Sequence, residues 1–330
     1  MKKSTRREFL GNSVLGTVGA GLVLAGFPLE DLLATQARKT GGYAANKLAL
    51  FLDGAMAGWV YSAEGGHATG DAVAGQFQKK APGGVKYEDI TLSCGTGMSR
   101  GFYDWITATT GGKQLRKNGA IVVCDYDFKE VSRLEFNDAL ITEIGFPELD
   151  AASKDAAKMT IKFSPEFTRS IEKSGAALVG AVIPEMQKKW LPSNFRLQIG
   201  ELNCTRVSKI EAITVKQKLA ENPLAGARAY GNQSATLAKP ALSITIPEAD
   251  APAFLAWQKQ AVSGNLSGVK KNGRLDYLAP DLREALFTLR FMSLIIAGIT
   301  EDRSPARYEN VRRFRVQMYY EGLEFSSGAA

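Results

Sequence analysis

The chain repeats itself once, and that repeat limits what it can fold into. Arg100–Asn118 reads RGFYDWITATTGGKQLRKN, and Pro252–Asn272 reads PAFLAWQKQAVSGNLSGVKKN. Each has an aromatic-x-x-Trp cluster, then a glycine break, then a basic pair and Asn-Gly. Trp105 and Trp257 stand 152 positions apart, and Asn118-Gly119 and Asn272-Gly273 stand 154 apart. The flanks answer one another in the same order. Asp89–Leu92 (DITL) matches Ser243–Ile246 (SITI), and Ala139–Thr142 (ALIT) matches Ser293–Ile296 (SLII). Lys158–Phe163 (KMTIKF) matches Arg313–Met318 (RFRVQM) at an offset of 155. Upstream, Leu52-Asp53-Gly54 answers Ile199-Gly200, and Ser62 answers Ser208. A period this long is a domain, not a solenoid unit. One fold encoded twice is therefore expected, and 330 residues suffice for two full cores.

Composition narrows the class only a little. An apolar fraction of 45% and a charged fraction of 23% are those of an ordinary globular protein. The net charge of +7 serves solubility or an anionic partner, but no run of five Lys or Arg occurs, so no specific nucleic-acid reading follows. Cys94, Cys124 and Cys204 form no C-x-x-C pair. They read as small buried side chains, with a Cys94–Cys124 disulfide open in an oxidising compartment. The single histidine, His67, lies in the glycine-rich run GGHATG and reads as a loop residue.

The amino terminus reads as an address. A basic head, MKKSTRR, precedes a glycine-rich apolar stretch from Val14 to Phe27 that is too short for a comfortable membrane span. Thr5-Arg6-Arg7-Glu8-Phe9-Leu10 resembles the twin-arginine export signal, with Gly11 in place of the usual final Lys. Arg6, Arg7, Phe9 and Leu10 carry that reading, with removal after Ala37. It implies the twin-arginine export machinery as a partner and a periplasmic or cell-surface location, with the segment serving as a membrane anchor if it is retained.

Each half reads as a run of short strands around one helix. Lys47–Leu52 is a strand ending in the hairpin signal Asp53-Gly54. Residues 64–86 are rich in Gly, Ala and Lys and read as a long loop. Ile90, Leu92 and Cys94 alternate as one face of a strand. Ser99 caps a helix over 100–110 that buries Phe102, Trp105, Ile106 and Thr109 and stops at Gly111-Gly112. Ala120–Cys124 and Val131–Phe146 pair as strands, with Asp125-Tyr126-Asp127 as the turn. Phe167–Trp190 reads as a helix broken near Pro184. In the second half, Val207–Val215 and Leu242–Ile246 read as strands and Lys216–Pro240 as a loop. A helix runs through about Val262 with Phe254, Leu255 and Trp257 inward, and Asn272-Gly273 makes a tight turn. Leu286–Ile299 suits a helix by itself, but its counterpart at 134–144 argues for a strand. Met159, Ile161 and Phe163 alternate with Lys158, Thr160 and Lys162, and Phe314, Val316 and Met318 with Arg313, Arg315 and Gln317. Both closing strands are thus half-buried, with Lys158, Lys162, Arg313 and Arg315 on an outer face that lines a lumen or meets water.

The order of these motifs in the first half resembles the tail tube protein family of contractile phages and related injection machines. The matching residues are Tyr87, Ile90-Thr91-Leu92, Asp104-Trp105, Phe136-Asn137-Asp138-Ala139 and 149–157. Cys94 stands where that family often has Arg, and Asp138 interrupts its Asn-Ala pair. The resemblance implies a mainly β fold: two tandem tail-tube-like β-barrel or sandwich domains, each with a short flanking helix, plus a helical connector. The division is 1–37 address, 38–44 linker, 45–168 first domain, 169–193 connector, 194–325 second domain and 326–330 tail. It also implies rings or tubes formed by sheet-edge pairing between copies, three chains making a pseudo-sixfold ring, with other tail-like components as partners. The residues offer no catalytic, cofactor-binding or metal-binding set: GGKQ lacks the phosphate-loop spacing, and Asp125 and Asp127 suit a turn. A structural, non-enzymatic role is expected. The rival is an exported binding protein or enzyme using the groove between the halves.

Overall fold

The computed structural model describes residues 47–74, 80–172, 190–218, 236–263, 268–302 and 312–328. The address residues Arg6, Arg7, Phe9 and Leu10 and most of the expected connector helix lie outside them.

The first domain is built from strands β1 (Lys47–Leu52), β2 (Ala55–Gly65), β3 (Ala68–Ala74), β4 (Lys80–Tyr87), β5 (Ile90–Cys94), β6 (Arg116–Cys124), β7 (Glu130–Phe146), β8 (Leu149–Asp150), β9 (Met159–Ser164) and β10 (Phe167–Glu172). Helix α1 (Arg100–Thr110) lies between β5 and β6. Asp53 and Gly54, both at positive φ, make the tight turn from β1 to β2. Antiparallel pairing runs β7-β6-β1-β2-β5-β9 and then returns from β9 to β7, closing a six-stranded barrel. Closure leaves none of these six strands as a bare margin. Ile90, Leu92, Cys94, Ile161 and Phe163 are fully buried inside it. Phe163 packs on Phe136 at 4.9 Å and on Trp105 at 5.4 Å, so α1 plugs the barrel with its indole.

The second domain follows the same plan. It comprises β11 (Phe195–Ile199), β12 (Lys209–Ile210), β13 (Ile213–Lys218), β14 (Thr236–Ala238), β15 (Leu242–Pro247), helix α2 (Ala251–Val262), β16 (Lys271–Leu278), β17 (Ala285–Asp302), β18 (Arg313–Tyr319) and β19 (Gly322–Ser327). Its order β11-β16-β17-β18-β15-β12 forms a nearly closed barrel.

Small polar details recur in both domains. The Trp105 indole donates to the Leu115 carbonyl at 2.7 Å, and the Trp257 indole to the Val269 carbonyl at 2.7 Å. Asn118 Oδ1 accepts the Asp138 amide at 2.8 Å, and Asn272 Oδ1 accepts the Ser293 amide at 3.1 Å. Asp138 and Ser293 are both left-handed, at φ 49° and 55°. Each sits where its long strand passes from one set of neighbours to the next.

Several expectations need correction. Residues 64–86 are not a loop: β3 and β4 form a two-stranded ribbon, reached through Gly65 and Gly66 at positive φ. Its Gly-, Ala- and Lys-rich sequence carries no apolar alternation to announce it. Phe167–Glu172 is strand, not helix, and pairs with β7; residues 173–189 lie outside the described set. Asn272-Gly273 lies within β16, at a register shift, rather than in a turn, and Asn118-Gly119 lies likewise within β6. At Gly119 the two strands come too close for a side chain, since a Cβ would fall 2.2 Å from the Phe51 oxygen. Val207–Val215 is two short strands, β12 and β13. Lys216–Lys218 and Thr236–Ala238 are likewise strand, not loop. Leu255 faces outward, 40% exposed, while Phe254 and Trp257 are buried as expected. Ser99 ends α1 through its backbone, its carbonyl accepting from Tyr103, not through its hydroxyl.

Candidate assembly surface

The two domains share strands. Only Pro147 and Glu148 separate β7 from β8, and only Glu211 and Ala212 separate β12 from β13. The first pair of strands lies antiparallel to the second. Glu143 faces Lys216, Ile144 faces Val215, Gly145 faces Thr214 and Phe146 faces Ile213. The seam resumes with Leu149 opposite Ile210 and Asp150 opposite Lys209. Hydrogen-bonded strands therefore run from β5 through β9 and β7 into β13, and from β8 through β12, β15 and β18 into β17. One domain's sheet thus takes in a strand of the other, β13 joining β7 and β8 joining β12.

Apolar contacts fix this seam from below. Phe146 lies between Tyr277, Phe287 and Phe325, with ring centroids 6.0–6.3 Å away. Trp190, at the end of the connector, meets Tyr277 at 5.5 Å and Phe287 at 5.1 Å, and its carbonyl accepts the Ala157 amide at 2.9 Å. On the far side, Tyr103 of α1 stacks on Phe325 of β19 at 5.9 Å.

The opposite face of the sheet is polar and charged in rows. Thr91, Lys162, Glu143 and Lys216 stand opposite one another across β5, β9, β7 and β13. Asp150, Lys209, Thr245, Arg315 and Thr300 do so across β8, β12, β15, β18 and β17. Three of these basic groups have acidic neighbours: Lys162 reaches Asp89 at 3.4 Å, Lys216 reaches Glu143 at 3.1 Å and Arg315 reaches Glu211 at 2.5 Å. Lys209 adds Glu148 at 2.9 Å, and burial opposes but does not overcome the hydrogen bond that raises its pKa. Arg313 lies opposite Pro247 and Asp302, and the Lys158 ammonium sits 5.0 Å from the Tyr61 ring centre. Alternating signs, rather than a uniform basic field, mark this face.

Other singled-out residues have structural settings. Asp125 Oδ1 accepts the amides of Asp127 and Lys129, both at 2.9 Å, which makes it a turn residue. His67 sits at the β2–β3 corner, 3.7 Å from Glu88. The three cysteines are free and buried. Cys94 and Cys124 belong to separate apolar clusters. Burial pushes the Cys94 thiol up to about 12 and those of Cys124 and Cys204 up to about 11. Among the described residues no group of three or more His, Cys, Asp or Glu is placed to hold a metal, and no helix is long and apolar enough to cross a membrane. A groove of about 460 Å³ opens between α1 and β19, lined by Asp104, Thr107, Lys113 and Glu324 among others.

The seam is what sequence reasoning missed. Alternation of Ile213 and Val215 with Thr214 and Lys216 does signal a strand, but nothing local to it names β7 as the partner.

Comparison with known proteins bears on the first domain. Residues 61–167 match the family described as T4-like virus tail tube protein gp19. The match runs from β2 to the start of β10 and takes in the closing pair of the barrel. No curated protein matches the chain. Among solved structures, the chain is similar to the anti-feeding prophage cap, described as a tube terminating cap: 21% identity over 38% of this chain and 88% of that one, TM-score 0.33. It is also similar to a protein of the sheath-tube complex of the extracellular contractile injection system PVC: 18% identity over 42% of this chain and 97% of that one, TM-score 0.34. A third likeness is to the sheath/tube terminator of the same system: 20% identity over 39% of this chain and 94% of that one, TM-score 0.31.

Proposed function

We propose that this chain is a non-enzymatic structural subunit, a tail-tube-like domain duplicated in tandem, that assembles into a ring or tube outside the inner membrane. Three chains would make a ring with pseudo-sixfold symmetry. The observation that carries this reading is the seam, where β7 and β8 of one domain lie against β13 and β12 of the other. A sheet that already passes from domain to domain by edge pairing needs only the same step between chains to close on itself. The recurring tryptophan and asparagine hydrogen bonds support duplication, and the match of residues 61–167 supports the tube role. On this reading Lys158, Lys162, Arg313 and Arg315 face the channel, where interspersed acids keep the wall wetted without a strong field of one sign.

Negative-stain images and native mass spectra of the purified chain test the assembly. Rings, filaments and multiples of three chains are expected; monomers alone at every concentration refute it. Monomers carrying a bound small molecule would favour a ligand site in the α1–β19 groove. Export rests on Arg6 and Arg7 in the sequence alone. Replacing both with Lys should hold a fused reporter in the cytoplasm, and unchanged export would remove the periplasmic or cell-surface location from the proposal.

A further inference from the structure

The seam inside the chain has a counterpart with one side missing. Each long strand passes through a left-handed residue, Asp138 or Ser293, and then a register shift, between Ile141 and Glu143 in β7 and between Ile296 and Gly298 in β17. These markers superpose the strands at an offset of 155: Ile144 pairs with Ile161 as Ile299 pairs with Val316. In β7, Glu143–Gly145 has β9 on one edge and β13 on the other. In β17, Gly298–Thr300 has β18 on one edge, and no described strand on the other.

The strand that would fill the gap also has an open side. β3 follows β2 as β13 follows β12. Yet β13 pairs with both β14 and β7, whereas among the described residues β3 pairs only with β4.

The helices show the same asymmetry. At the offset of 152, Tyr103 corresponds to Leu255 and Thr110 to Val262. Tyr103 is 7% exposed and Thr110 4%, whereas Leu255 is 40% exposed and Val262 81%. What covers α1 is β19 of the other domain, through Phe325. The first-domain counterpart of β19 is β10, since β19 pairs with Phe287–Met292 and β10 with Ser132–Asn137. Among the described residues α2 has no such cover.

We propose that these vacancies form one docking surface for a second copy of this chain: β3 of one copy adds antiparallel to β17 of the next, with Ala68 opposite Thr300 and Thr69 opposite Ile299, while α2 seats its Leu255–Val262 flank on β10 of the incoming copy. The proposal rests on the ring reading above and gives it a register. The occupant is a copy of this chain because the shape required is that of its own internal seam. Ala68 opposite Thr300 follows from Thr214 opposite Gly145, shifted to corresponding positions.

Disulfide trapping in the full chain tests it. Directly opposed strand residues have Cα atoms about 4.5–5.5 Å apart, within reach of a disulfide. A68C/T300C should oxidise to covalent dimers and trimers and no larger ladder, because the ring closes at three. A mixture of A68C and T300C single variants should give dimers only. The intrachain pair E143C/K216C, opposed across the existing seam, serves as the positive control. L255E and V262E, at exposed positions, should melt like the parent yet raise the concentration needed for assembly at least tenfold. Rings without the A68C/T300C link, while the control pair closes, would overturn this register and leave the ring reading standing. Full assembly of both helix variants would remove α2 from the interface. Monomers at every concentration would overturn both the register and the ring.

Discussion

Phe146 lets the seam be tested by stability alone. It comes from the first domain, is 1% exposed, and is surrounded by Tyr277, Phe287 and Phe325 of the second. Phe146→Ala removes a buried ring and leaves a void that four strands and a packed aromatic cluster cannot collapse into. The expected cost for such a site is about 3–5 kcal/mol. Loss of the favourable aromatic geometry, at about 0.5–1.5 kcal/mol per pair, argues for the upper half of that range. At a slope of roughly 2 °C per kcal/mol for a unit of this size, the thermal midpoint should fall by about 8 °C. Phe146→Leu, which refills most of the volume, should lose less than half as much. Phe167→Ala is the contrast: that ring is 43% exposed against Tyr87 and should cost at most about 1 kcal/mol. Circular dichroism melts of the four proteins decide the matter. If Phe146→Ala melted within 2 °C of the parent, about 1 kcal/mol by the same slope, the two domains would not be packed through this residue.

Three further outcomes follow from single sites. Gly119→Ala should be strongly destabilising, because its Cβ would meet the Phe51 oxygen at 2.2 Å and the Phe136 ring at 2.5 Å, whereas Gly54→Ala, with open space around it, should cost only about 1 kcal/mol for its positive φ; thermal melts compare them. Burial pushes the Asp276 carboxyl up, but hydrogen bonds from Thr288, Arg274 and Arg196 outweigh it and hold the group below its ordinary value, so its stabilisation is full above the usual carboxylate range and is lost as pH falls through the folded pKa. Asp276→Asn should therefore lose about 1–3 kcal/mol at pH 7, and urea titrations should show the gap to the parent closing below about pH 4. The three buried thiols should resist a thiol reagent at pH 8 in the folded chain and react together on unfolding; rapid labelling of Cys94 in the native state would contradict its burial.

How much of this was legible in the sequence depended on how far apart the interacting residues lie. α1 was readable because Phe102, Trp105, Ile106 and Thr109 recur at helical spacing and Gly111 ends them. β9 and β18 were readable because their apolar residues alternate. β17 was readable only by comparison: Leu286–Ile299 is apolar enough for either structure, and its counterpart settled the choice. β10 was misread because 167–172 carries no clean alternation, and its partner, Ser132–Asn137, lies well upstream. Asn272-Gly273 was misread because Asn-Gly is a turn signal. Here, as at Asn118-Gly119, the asparagine side chain caps the amide of a left-handed residue on the next strand, and the glycine makes room for close approach.

The asymmetry of the two helices shows why a repeat is informative even where its copies differ. If the two domains are copies, as proposed, corresponding positions should be buried alike, and a position buried in one and bare in the other points to what the bare one lacks. Thr110, the smaller and more polar residue, is hidden, while its apolar counterpart Val262 is 81% exposed. Side-chain hydrophobicity would predict the reverse. The difference lies in the neighbour: Tyr103 of α1 stacks on Phe325 of β19, from the other domain, whereas Leu255 and Val262 of α2 stay exposed. An exposed valine and an exposed leucine on a helix whose counterpart is covered are what a further domain docked there would account for. Among the described residues the other domain covers α1 and nothing comparable covers the Leu255–Val262 flank of α2, which is the condition that a head-to-tail contact between copies would satisfy.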